Sequence, residues 1–310
     1  MRILVTGADG FIGSHVASAL ARAGHSVVRT VYGRAPEPGE LRVDLSRPSE
    51  LLQLPNDVDV VVHAAGAVDA HAPYARMVAA NVTTTHLLAG WAALRNVGHF
   101  VHFSSVAVYG PLALGVDRDE STPRLGLGLG LPYMRTKALA ERAVERAGVP
   151  FTLVRPPVVL GSGDTVISRG FRDALCHDGG IPLVPGASLE RRVSLALVEG
   201  LGALVVRLVA RGPLGGPVHA VDADLTVGEL AARYAEALER PLRTRPISWT
   251  AALRTRNEVG TSWLIASTRF GQHYRAGRLL TEVGYTANFG LESAIESGLS
   301  SLQGSSDRLF

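Results

Sequence analysis

The sequence predicts an α/β protein built on a doubly wound parallel sheet, followed by a smaller and less regular C-terminal unit. Three observations support this fold class. Short β-branched runs alternate with helical stretches in the first half of the chain, a glycine-rich turn joins the first run to the first helix, and after Pro156 the pattern loosens into Gly- and Pro-rich segments.

The predicted strands are continuous apolar runs, which is typical of a parallel sheet buried on both faces. In chain order they are RILVT, HSVVRTV, VDVVVHA, HFVHFSS and PFTLVRP, and the first helix is predicted through SHVASALARAG. Later helices are predicted around TVGELAARYAEALE, RAGRLLTEVG and LESAIESGL. We predict one domain over residues 1–156, with return segments near 190–210, and a second over residues 157–310.

Composition excludes several classes of function. The chain has 310 residues, is 46% hydrophobic and has a net charge of +3, with arginines scattered and often near acids. This pattern predicts neither a nucleic-acid nor a membrane partner. The chain opens on a strand-like run without a charged leader, which predicts a cytoplasmic protein. The single cysteine, Cys176, rules out an internal disulfide and argues against a metal site.

The turn TGADGFIG lies between the first predicted strand and the first predicted helix, with glycines at positions 7, 10 and 13. Gly7 permits the tight turn, Gly10 lets the backbone approach a pyrophosphate, and Gly13 lets helix and strand pack closely. The helix N-terminus supplies amides and a positive dipole. The motif therefore predicts a Rossmann fold that binds a dinucleotide, and its other candidate contacts are Asp9, Phe11 and Ile12.

The end of the second predicted strand bears on the choice of cofactor. An acid there would bind a free ribose 2′-hydroxyl, but the segment SVVRTVYGR offers Arg29, Tyr32 and Arg34 instead. Cations suit a 2′-phosphate, so the sequence favours NADP(H) and leaves NAD(H) possible. After a short third strand, Asp44 and Leu45 are expected to border the adenine, with Asp44 accepting from its amino group.

Lys137 is the only lysine among the 31 basic residues of the chain. It follows Tyr133 by four residues at the start of a helical stretch, so both side chains project from one face. An ammonium about 4 Å from a phenolate contributes roughly 4 kcal/mol at an effective dielectric of about 20. That is enough to lower the pKa of a tyrosine toward neutrality, where it serves as a general acid or base. Ser105 ends a predicted strand at the edge that opens onto the cofactor crevice.

Six motifs occur in the order that a known family shows: TGADGFIG, HAAG, Asn81 in AANV, SSVAVYG, YMRTK and VRPP. Together they resemble the extended short-chain dehydrogenase/reductase superfamily over nearly the whole chain. The resemblance implies that Tyr133 donates or accepts the proton, that Lys137 binds the nicotinamide ribose and lowers the tyrosine pKa, and that Ser105 holds the reacting oxygen. It also suggests a homodimer.

The same resemblance assigns further contacts to the cofactor. Ala64, Ala65 and Gly66 would line the adenosine ribose and phosphate side, Pro156 would lie near the nicotinamide carboxamide, and Asn81 belongs to the same set. Glu199 and Gly200 depart from the usual V-x-D-x-A segment of the family, which leaves the local contacts between domains open.

Three alternative functions remain open. The first is a carbonyl reductase or alcohol dehydrogenase like the dihydroflavonol-reductase and 3β-hydroxysteroid-dehydrogenase branch, the second a nucleotide-sugar epimerase or dehydratase, and the third a sensor without catalysis. Val106 and Ala107 replace the acid pair that dehydratases use, whereas Arg192 matches a phosphate-gripping position of some epimerases. The apolar run PPVVLG and the segment RLGLGLGL, expected to form a flexible hydrophobic wall, favour a reductase acting on a small apolar substrate.

Overall fold

The computed structural model describes residues 1–68, 72–110, 117–129, 131–255, 258–287 and 289–305. Its strands are β1 (Arg2–Thr6), β2 (Ser26–Val31), β3 (Glu40–Arg42), β4 (Val60–His63), β5 (His99–Phe103), β6 (Phe151–Arg155), β7 (Val158–Leu160), β8 (Ile181–Leu183), β9 (Arg192–Leu197), β10 (Gly216–His219), β11 (Ala223–Thr226) and β12 (Thr244–Pro246).

The helices that surround these strands are α1 (Phe11–Arg22), α2 (Tyr74–Val78), α3 (Thr84–Leu94), α4 (Gly126–Leu129), α5 (Pro132–Arg146), α6 (Ile167–Cys176), α7 (Val198–Arg211), α8 (Val227–Ala237), α9 (Trp249–Arg254), α10 (Val259–Phe270), α11 (Gly277–Thr281) and α12 (Leu291–Ser305). A π-helical turn, Ala79–Thr83, joins α2 to α3. None of the helices in the described ranges is both long enough and apolar enough to cross a bilayer.

A seven-stranded sheet in the order β10-β6-β5-β4-β1-β2-β3 forms the main body, and all of its strand pairs are parallel. The predicted doubly wound Rossmann class is therefore confirmed. The strand order reverses between β1 and β4, and in such sheets ligands bind in the crevice outside the carboxyl ends at this point. Every strand-like run predicted in the first half forms a strand of this sheet.

Alternate residues of the strands enter two separate cores, because successive side chains point to opposite faces. Ile3 and Val5 pack with α1 and α7 on one face, while Leu4 packs with α3 and α5 on the other. Helices α1 and α7 cross closely at Gly202, where a Cβ would lie 2.9 Å from Ala19. Burial on both faces explains why the strands read as continuous apolar runs.

The C-terminal half builds a smaller unit. A three-stranded sheet, β11-β9-β7, and the pair β12-β8 combine with α6, α8, α10 and α12 around a third core, in which Phe171 stacks on Tyr234 at 4.1 Å between ring centroids. The chain returns to the large sheet through α7 and β10. The predicted domain boundary after residue 156 stays a prediction.

Candidate active site

The glycine loop occupies the carboxyl end of β1 in a conformation that only small residues permit. Gly7 has φ +68°, and a Cβ built on it would lie 2.7 Å from the backbone N and Cα of Ala65. A Cβ on Gly13 would lie 2.0 Å from the Gly7 carbonyl oxygen, and the Gly10 amide donates to that same oxygen at 3.0 Å. The loop and the backbone after β4 therefore touch, with the first amides of α1 beside them.

The other two apolar residues of the loop face different surroundings. Ile12 packs on the core formed with α1 and α7, and a Cβ built on Gly163 would lie 3.1 Å from the ring of Phe11. The glycine loop is thus adjacent to the segment that precedes α6. Sequence reasoning gave no indication of this contact, because Gly163 follows Phe11 by about half the chain.

An acid does lie at the end of β2, and it comes from the glycine loop. Asp9 Oδ2 accepts from the Tyr32 amide at 3.2 Å and from the Gly33 amide at 3.1 Å. The prediction that this place lacks an acid is therefore wrong. The β2 sequence could not reveal it, because Asp9 precedes Gly33 by 24 residues.

One of the predicted cations at this end of the crevice, Arg34, already has a partner. Arg34 forms a bidentate ion pair with Glu40, with Nη1 2.6 Å from Oε2 and Nη2 2.8 Å from Oε1. Glu40 begins β3 and is opposite Arg29 in the strand register. Glu40 thus neutralises Arg34 and lies near enough to Arg29 for the charge of that arginine to lower the pKa of Glu40, which reduces the positive charge available to a phosphate.

Asp44 and Leu45 follow β3, as the sequence predicted. Asp44 Oδ1 accepts from the Ser46 amide at 3.0 Å and from the Ser46 hydroxyl at 2.6 Å, while Arg47 Nε lies 3.1 Å from Oδ2. Leu45 is buried in the core formed with α3 and α5. The expected contact between Asp44 and the adenine amino group stays a prediction.

Ser105 lies just beyond β5 and is held by backbone contacts. Its Oγ accepts from the Ala107 amide at 3.1 Å, which caps the short 3₁₀ helix Val106–Tyr109. The Val106 amide donates to the Pro156 carbonyl at 3.2 Å, so the ends of β5 and β6 are tied together. The Ser105 hydroxyl also lies near Tyr133 and lowers the pKa of its phenol.

Tyr133 and Lys137 lie on the first turns of α5, which begins with Pro132 at a position where its missing amide costs nothing. Burial raises the pKa of Tyr133 to about 12, and the nearby Ser105 hydroxyl opposes this only in part. The expected lowering of this pKa by Lys137 is therefore wrong for this structure. The ammonium donates to the Phe103 carbonyl at 2.8 Å, and the low polarity around Tyr133 outweighs any attraction from it.

Lys137 is itself perturbed. Burial lowers its pKa to about 8, with Glu141 opposing the shift. A Cβ built on Gly66 would lie 3.5 Å from the ammonium nitrogen and 3.0 Å from Asn81 Oδ1. Gly66 therefore keeps the space beside Lys137 open, as the predicted contact of both residues with one ligand requires.

Asn81 connects the loop after β4 to α5. Its Oδ1 accepts from the Ala67 amide at 2.7 Å, and its Nδ2 donates to the Ala67 carbonyl at 3.0 Å and to Thr136 Oγ1 at 3.1 Å. The side chain is 2% exposed and lies on the π-helical turn. In this structure Asn81 fixes the backbone of Ala67, the residue after Gly66, and its predicted direct contact with the cofactor stays a prediction.

Sequence reasoning missed a buried charge network directly behind Lys137. Arg155 donates two hydrogen bonds, of 2.8 and 2.7 Å, to the Glu141 carboxylate and a third, of 2.8 Å, to the Tyr109 hydroxyl. Arg124 adds a third contact to Glu141 at 3.1 Å. Glu141 follows Lys137 by four residues on the same helix face, a spacing that could have identified it.

The described part of the RLGLGLGL segment packs against its neighbours at Arg124 and Gly126, and its expected role as a flexible hydrophobic wall stays a prediction. Arg124 is tied to Glu141 and Glu145, and residues 126–129 form α4. A Cβ on Gly126 would lie 2.7 Å from the Val108 carbonyl oxygen, so this glycine allows α4 to approach the 3₁₀ helix after Ser105. Gly130 lies outside the described residues, while Leu131, 64% exposed, precedes the turn that carries Tyr133.

Solved structures with the same fold bind nicotinamide dinucleotides. The enzyme WbmH of Bordetella bronchiseptica in complex with NAD+ superimposes with a TM-score of 0.77 at 20% identity, covering 98% of both chains. The UDP-glucuronic acid 4-epimerase of Bacillus cereus in complex with NAD gives 0.76 at 18% identity, over 98% of this chain and 97% of that one. Similarity at this level shows the fold.

Curated relatives with higher identity are named reductases. The 2-alkyl-3-oxoalkanoate reductase of Stenotrophomonas maltophilia is 31% identical over 53% of this chain and 52% of its own length. A ketoreductase of Stigmatella aurantiaca, named for a 4-farnesyl-dihydroquinoline-1-oxide, is 32% identical over 56% and 55%. The ceramide reductase of Caulobacter vibrioides is 29% identical over 71% and 64%. The chain thus spans about half the length of the first two relatives.

These comparisons support the predicted class of NAD(P)-dependent oxidoreductases. The region matched by the family model below includes the glycine loop, Ser105, Tyr133 and Lys137, which are the motifs that predicted the site. The model of the NAD dependent epimerase/dehydratase family matches residues 3–199, more than half of the sequence, and the chain belongs to that family.

Proposed function

We propose that the protein is an NAD(P)-dependent oxidoreductase that interconverts a carbonyl and an alcohol on a small apolar substrate, with Ser105, Tyr133 and Lys137 as its catalytic residues. The observation that supports this most directly is that Ser105 and Tyr133 are neighbours at the carboxyl edge of the sheet, close enough for the Ser105 hydroxyl to lower the pKa of the phenol. Two neighbouring hydroxyls can both bind one carbonyl oxygen.

The surrounding residues fit a nicotinamide dinucleotide. The glycine loop presents the N-terminus of α1 to a pyrophosphate, and Gly66 leaves room beside the Lys137 ammonium for ribose hydroxyls. A bound nicotinamide supplies or accepts the hydride. The protein's part is to orient the substrate carbonyl, to exclude water and to move one proton.

Tyr133 is the proton donor for carbonyl reduction. Because its pKa is raised to about 12, the phenol stays protonated at neutral pH and can give its proton to the developing alkoxide. The Ser105 hydroxyl donates to the same oxygen. Lys137, whose pKa is lowered to about 8, can exchange a proton near neutral pH and restore the phenol. Reduction is thus the direction that the resting protonation states favour.

The substrate is proposed to be a ketone with an apolar chain. Each of the three relatives is named for a compound with an alkyl, farnesyl or ceramide group. In this chain Leu125 and Leu131, on either side of α4, expose 40% and 64% of their surface next to the helix of Tyr133. Exposed leucines next to the helix of Tyr133 suit such a chain.

We propose NADP(H) as the favoured cofactor, with a preference of about tenfold or less over NAD(H). Arg29 and Arg34 remain the cations nearest the end of β2, and both suit a 2′-phosphate. Arg34, however, must turn away from Glu40 to reach one, and Asp9 lies at the same place. These acids limit the gain from the arginines.

A nucleotide-sugar epimerase is the second candidate, favoured by the epimerases among the fold neighbours. Arg192, exposed at the start of β9, would grip the nucleotide phosphate in that case. The two functions differ in their use of cofactor, since an epimerase regenerates its own and a reductase consumes one equivalent.

The test incubates the purified protein with NADPH or NADH and either 2-alkyl-3-oxoalkanoates or UDP-sugars. We expect one equivalent of reduced cofactor to be oxidised per ketone, and expect this to stop in Tyr133→Phe. Tyr74→Phe, which alters an exposed tyrosine before α3, is the matched control. Interconversion of UDP-sugars without net cofactor change would overturn the proposal. The predicted homodimer and cytoplasmic location stay predictions, the first to be tested by light scattering.

A further inference from the structure

One surface of the C-terminal unit carries charges and apolar side chains that the proposed reaction does not use. It consists of β12, α9 and the chain around them, and we call it the arginine–tryptophan surface, defined by Arg240, Arg243, Arg245, Trp249, Leu253 and Arg254. Every residue from 240 to 246 is exposed, and α9 has no buried residue. The segment is nevertheless fixed, because β12 pairs with β8 and Ser248 caps α9 by accepting from the Ala251 amide at 3.2 Å.

The apolar side chains of this surface share one direction. Trp249 and Leu253 are four residues apart on α9 and therefore lie on successive turns of one face. They are 45% and 67% exposed, and Leu242, just before β12, is 39% exposed. A tryptophan and a leucine left in water on a fixed helix indicate a surface that meets something apolar.

The charges of the surface are unbalanced. Among the described residues, no carboxylate lies within ion-pair distance of Arg240, Arg243, Arg245 or Arg254, whereas Arg34, Arg124, Arg155 and Arg278 are all paired. Residues 239–255 contain four arginines and one glutamate. Their balance of +3 equals the net charge of the whole chain, +3. The sequence alone did not reveal this local excess of positive charge, because a count of arginines does not show which of them form ion pairs.

The surface continues toward the cofactor crevice. Helix α9 leads into α10, where Gly260 packs so closely on α6 that a Cβ would lie 2.4 Å from the Val166 carbonyl oxygen. Val166 and Val259 are 44% and 39% exposed. Gly163, three residues before Val166, lies against Phe11 of the glycine loop. Two exposed valines, at the start of α10 and just before α6, thus lie between the C-terminal unit and the glycine loop.

We propose that the arginine–tryptophan surface docks on an anionic lipid bilayer, with Trp249 and Leu253 entering the headgroup region and the arginines contacting lipid phosphates. The positive balance is complementary to anionic headgroups, tryptophan is favoured at membrane interfaces, and the leucine supplies apolar burial. One part of this inference rests on the proposed function: membrane docking would give the enzyme access to an apolar substrate dissolved in the bilayer. The docking itself can occur without turnover.

The test measures co-sedimentation of the intact protein with phosphatidylcholine vesicles, with and without phosphatidylglycerol. We expect binding at least about tenfold stronger with the anionic lipid, weakening as salt is added. Trp249→Ser/Leu253→Ser and Arg243→Ser/Arg245→Ser should each abolish most of it. The matched control is Leu52→Ser/Leu94→Ser, which changes two leucines that are 77% and 82% exposed elsewhere on the molecule. A blue shift of tryptophan emission on binding should be absent in Trp249→Phe.

Three results would overturn the proposal: equal binding to both vesicle types, undiminished binding by the Trp249→Ser/Leu253→Ser variant, or a change of oligomeric state in that variant, which would make the surface an interface between two copies. Preference for a DNA duplex over vesicles would do the same. Since NADPH binding and turnover are measured separately, failure here leaves the reductase proposal intact, and failure of that proposal leaves vesicle binding to be judged alone.

Discussion

The two ends of the cofactor crevice hold their charges in opposite ways. At the reaction end, Lys137, Glu141 and Arg155 are 7%, 0% and 3% exposed and are fixed by several hydrogen bonds. At the adenosine end, the Arg34 side chain is 39% exposed and Tyr32 is 63% exposed. Charges interact strongly where water is excluded and weakly where water and salt screen them. Substitutions should therefore be costly at the first end and nearly free at the second.

Removing the charge of Glu141 should have the largest effect. Glu141→Gln leaves the Arg155 guanidinium buried without its bidentate partner, and breaking a buried pair from one side costs about 3–5 kcal/mol of unfolding free energy. Urea denaturation monitored by circular dichroism measures it. The control is Glu145→Gln, which loses a partly exposed pair with Arg124 and should cost about 1 kcal/mol or less. Equal losses in both variants would show that burial does not set the strength of this network.

Replacing Lys137 tests geometry at constant charge. Lys137→Arg should slow turnover about a hundredfold, which corresponds to roughly 3 kcal/mol. The ammonium fits between the Phe103 carbonyl and the space beside Gly66, whereas a guanidinium is a broad planar fork. Single-turnover oxidation of NADPH measures the loss, with Tyr133→Phe for comparison and thermal melts as a check on folding. Arg142→Lys, on the exposed side of α5, is the matched control. Activity within a few-fold of the parent would make the lone lysine an accident of composition.

The relative positions of Ser105, Tyr133 and Lys137 could be predicted from the sequence more readily than the contacts at the adenosine end, for a physical reason, while their catalytic roles stay predictions. Ser105, Tyr133 and Lys137 are positioned by helix periodicity and by strand ends, both of which depend on local sequence. Asp9 reaches the end of β2, and Glu40 reaches Arg34, through a loop conformation and a strand register that local sequence does not specify. The fold was predictable for the same reason, since apolar runs buried on both faces leave few alternatives.

The pKa of Tyr133 shows a different limit. Spacing alone suggested that Lys137 lowers it, but burial raises it to about 12. The two effects have opposite signs, and their balance depends on how much water reaches the phenol, which the sequence does not give. Glu141 was visible in the sequence at the right spacing, yet only its contacts with Arg155 and Arg124 identify it as part of the site.

Buried histidines on the central strands of the large sheet should make the protein sensitive to acid. Burial lowers the pKa of His99 to about 4 and that of His63 to about 3, while unfolded histidine titrates near 6.5. Below about pH 6.5 the unfolded state binds protons that the folded state does not bind. The free energy of unfolding therefore falls as the pH falls, until the pKa of the folded state is reached. Each such histidine should contribute about 1.4 kcal/mol per pH unit.

This slope can be measured one residue at a time. His99→Gln, which can keep the hydrogen bond to Thr152, should reduce the dependence of unfolding free energy on pH by about 1.4 kcal/mol per unit between roughly pH 6 and 4.5. Denaturation series at several pH values give the slope. His86→Gln changes an exposed histidine on α3 and should leave it unaltered. An unchanged slope in His99→Gln would mean that His99 is already charged in the folded protein.

The smallest effect is expected at the adenosine end, where Glu40 and a 2′-phosphate would compete for Arg34. Glu40→Gln releases the guanidinium and should raise the ratio of NADPH to NADH affinity by about three- to tenfold, while Arg34→Ala should lower it by a similar factor. Both changes should shrink as salt is added, because the Arg34 side chain of the pair is 39% exposed. Calorimetric titration with each cofactor gives the ratio, and Arg22→Ala at the end of α1 is the control for loss of a distant charge.

Glu40→Gln could leave the ratio unchanged while Arg34→Ala lowers it. In that case Arg34 separates from Glu40 without a cost in free energy, and Asp9, bound to the Tyr32 and Gly33 amides, is the group that limits the preference for NADP(H). If neither variant moves the ratio, Arg34 has no part in choosing the cofactor, and the proposed preference for NADP(H) fails with it.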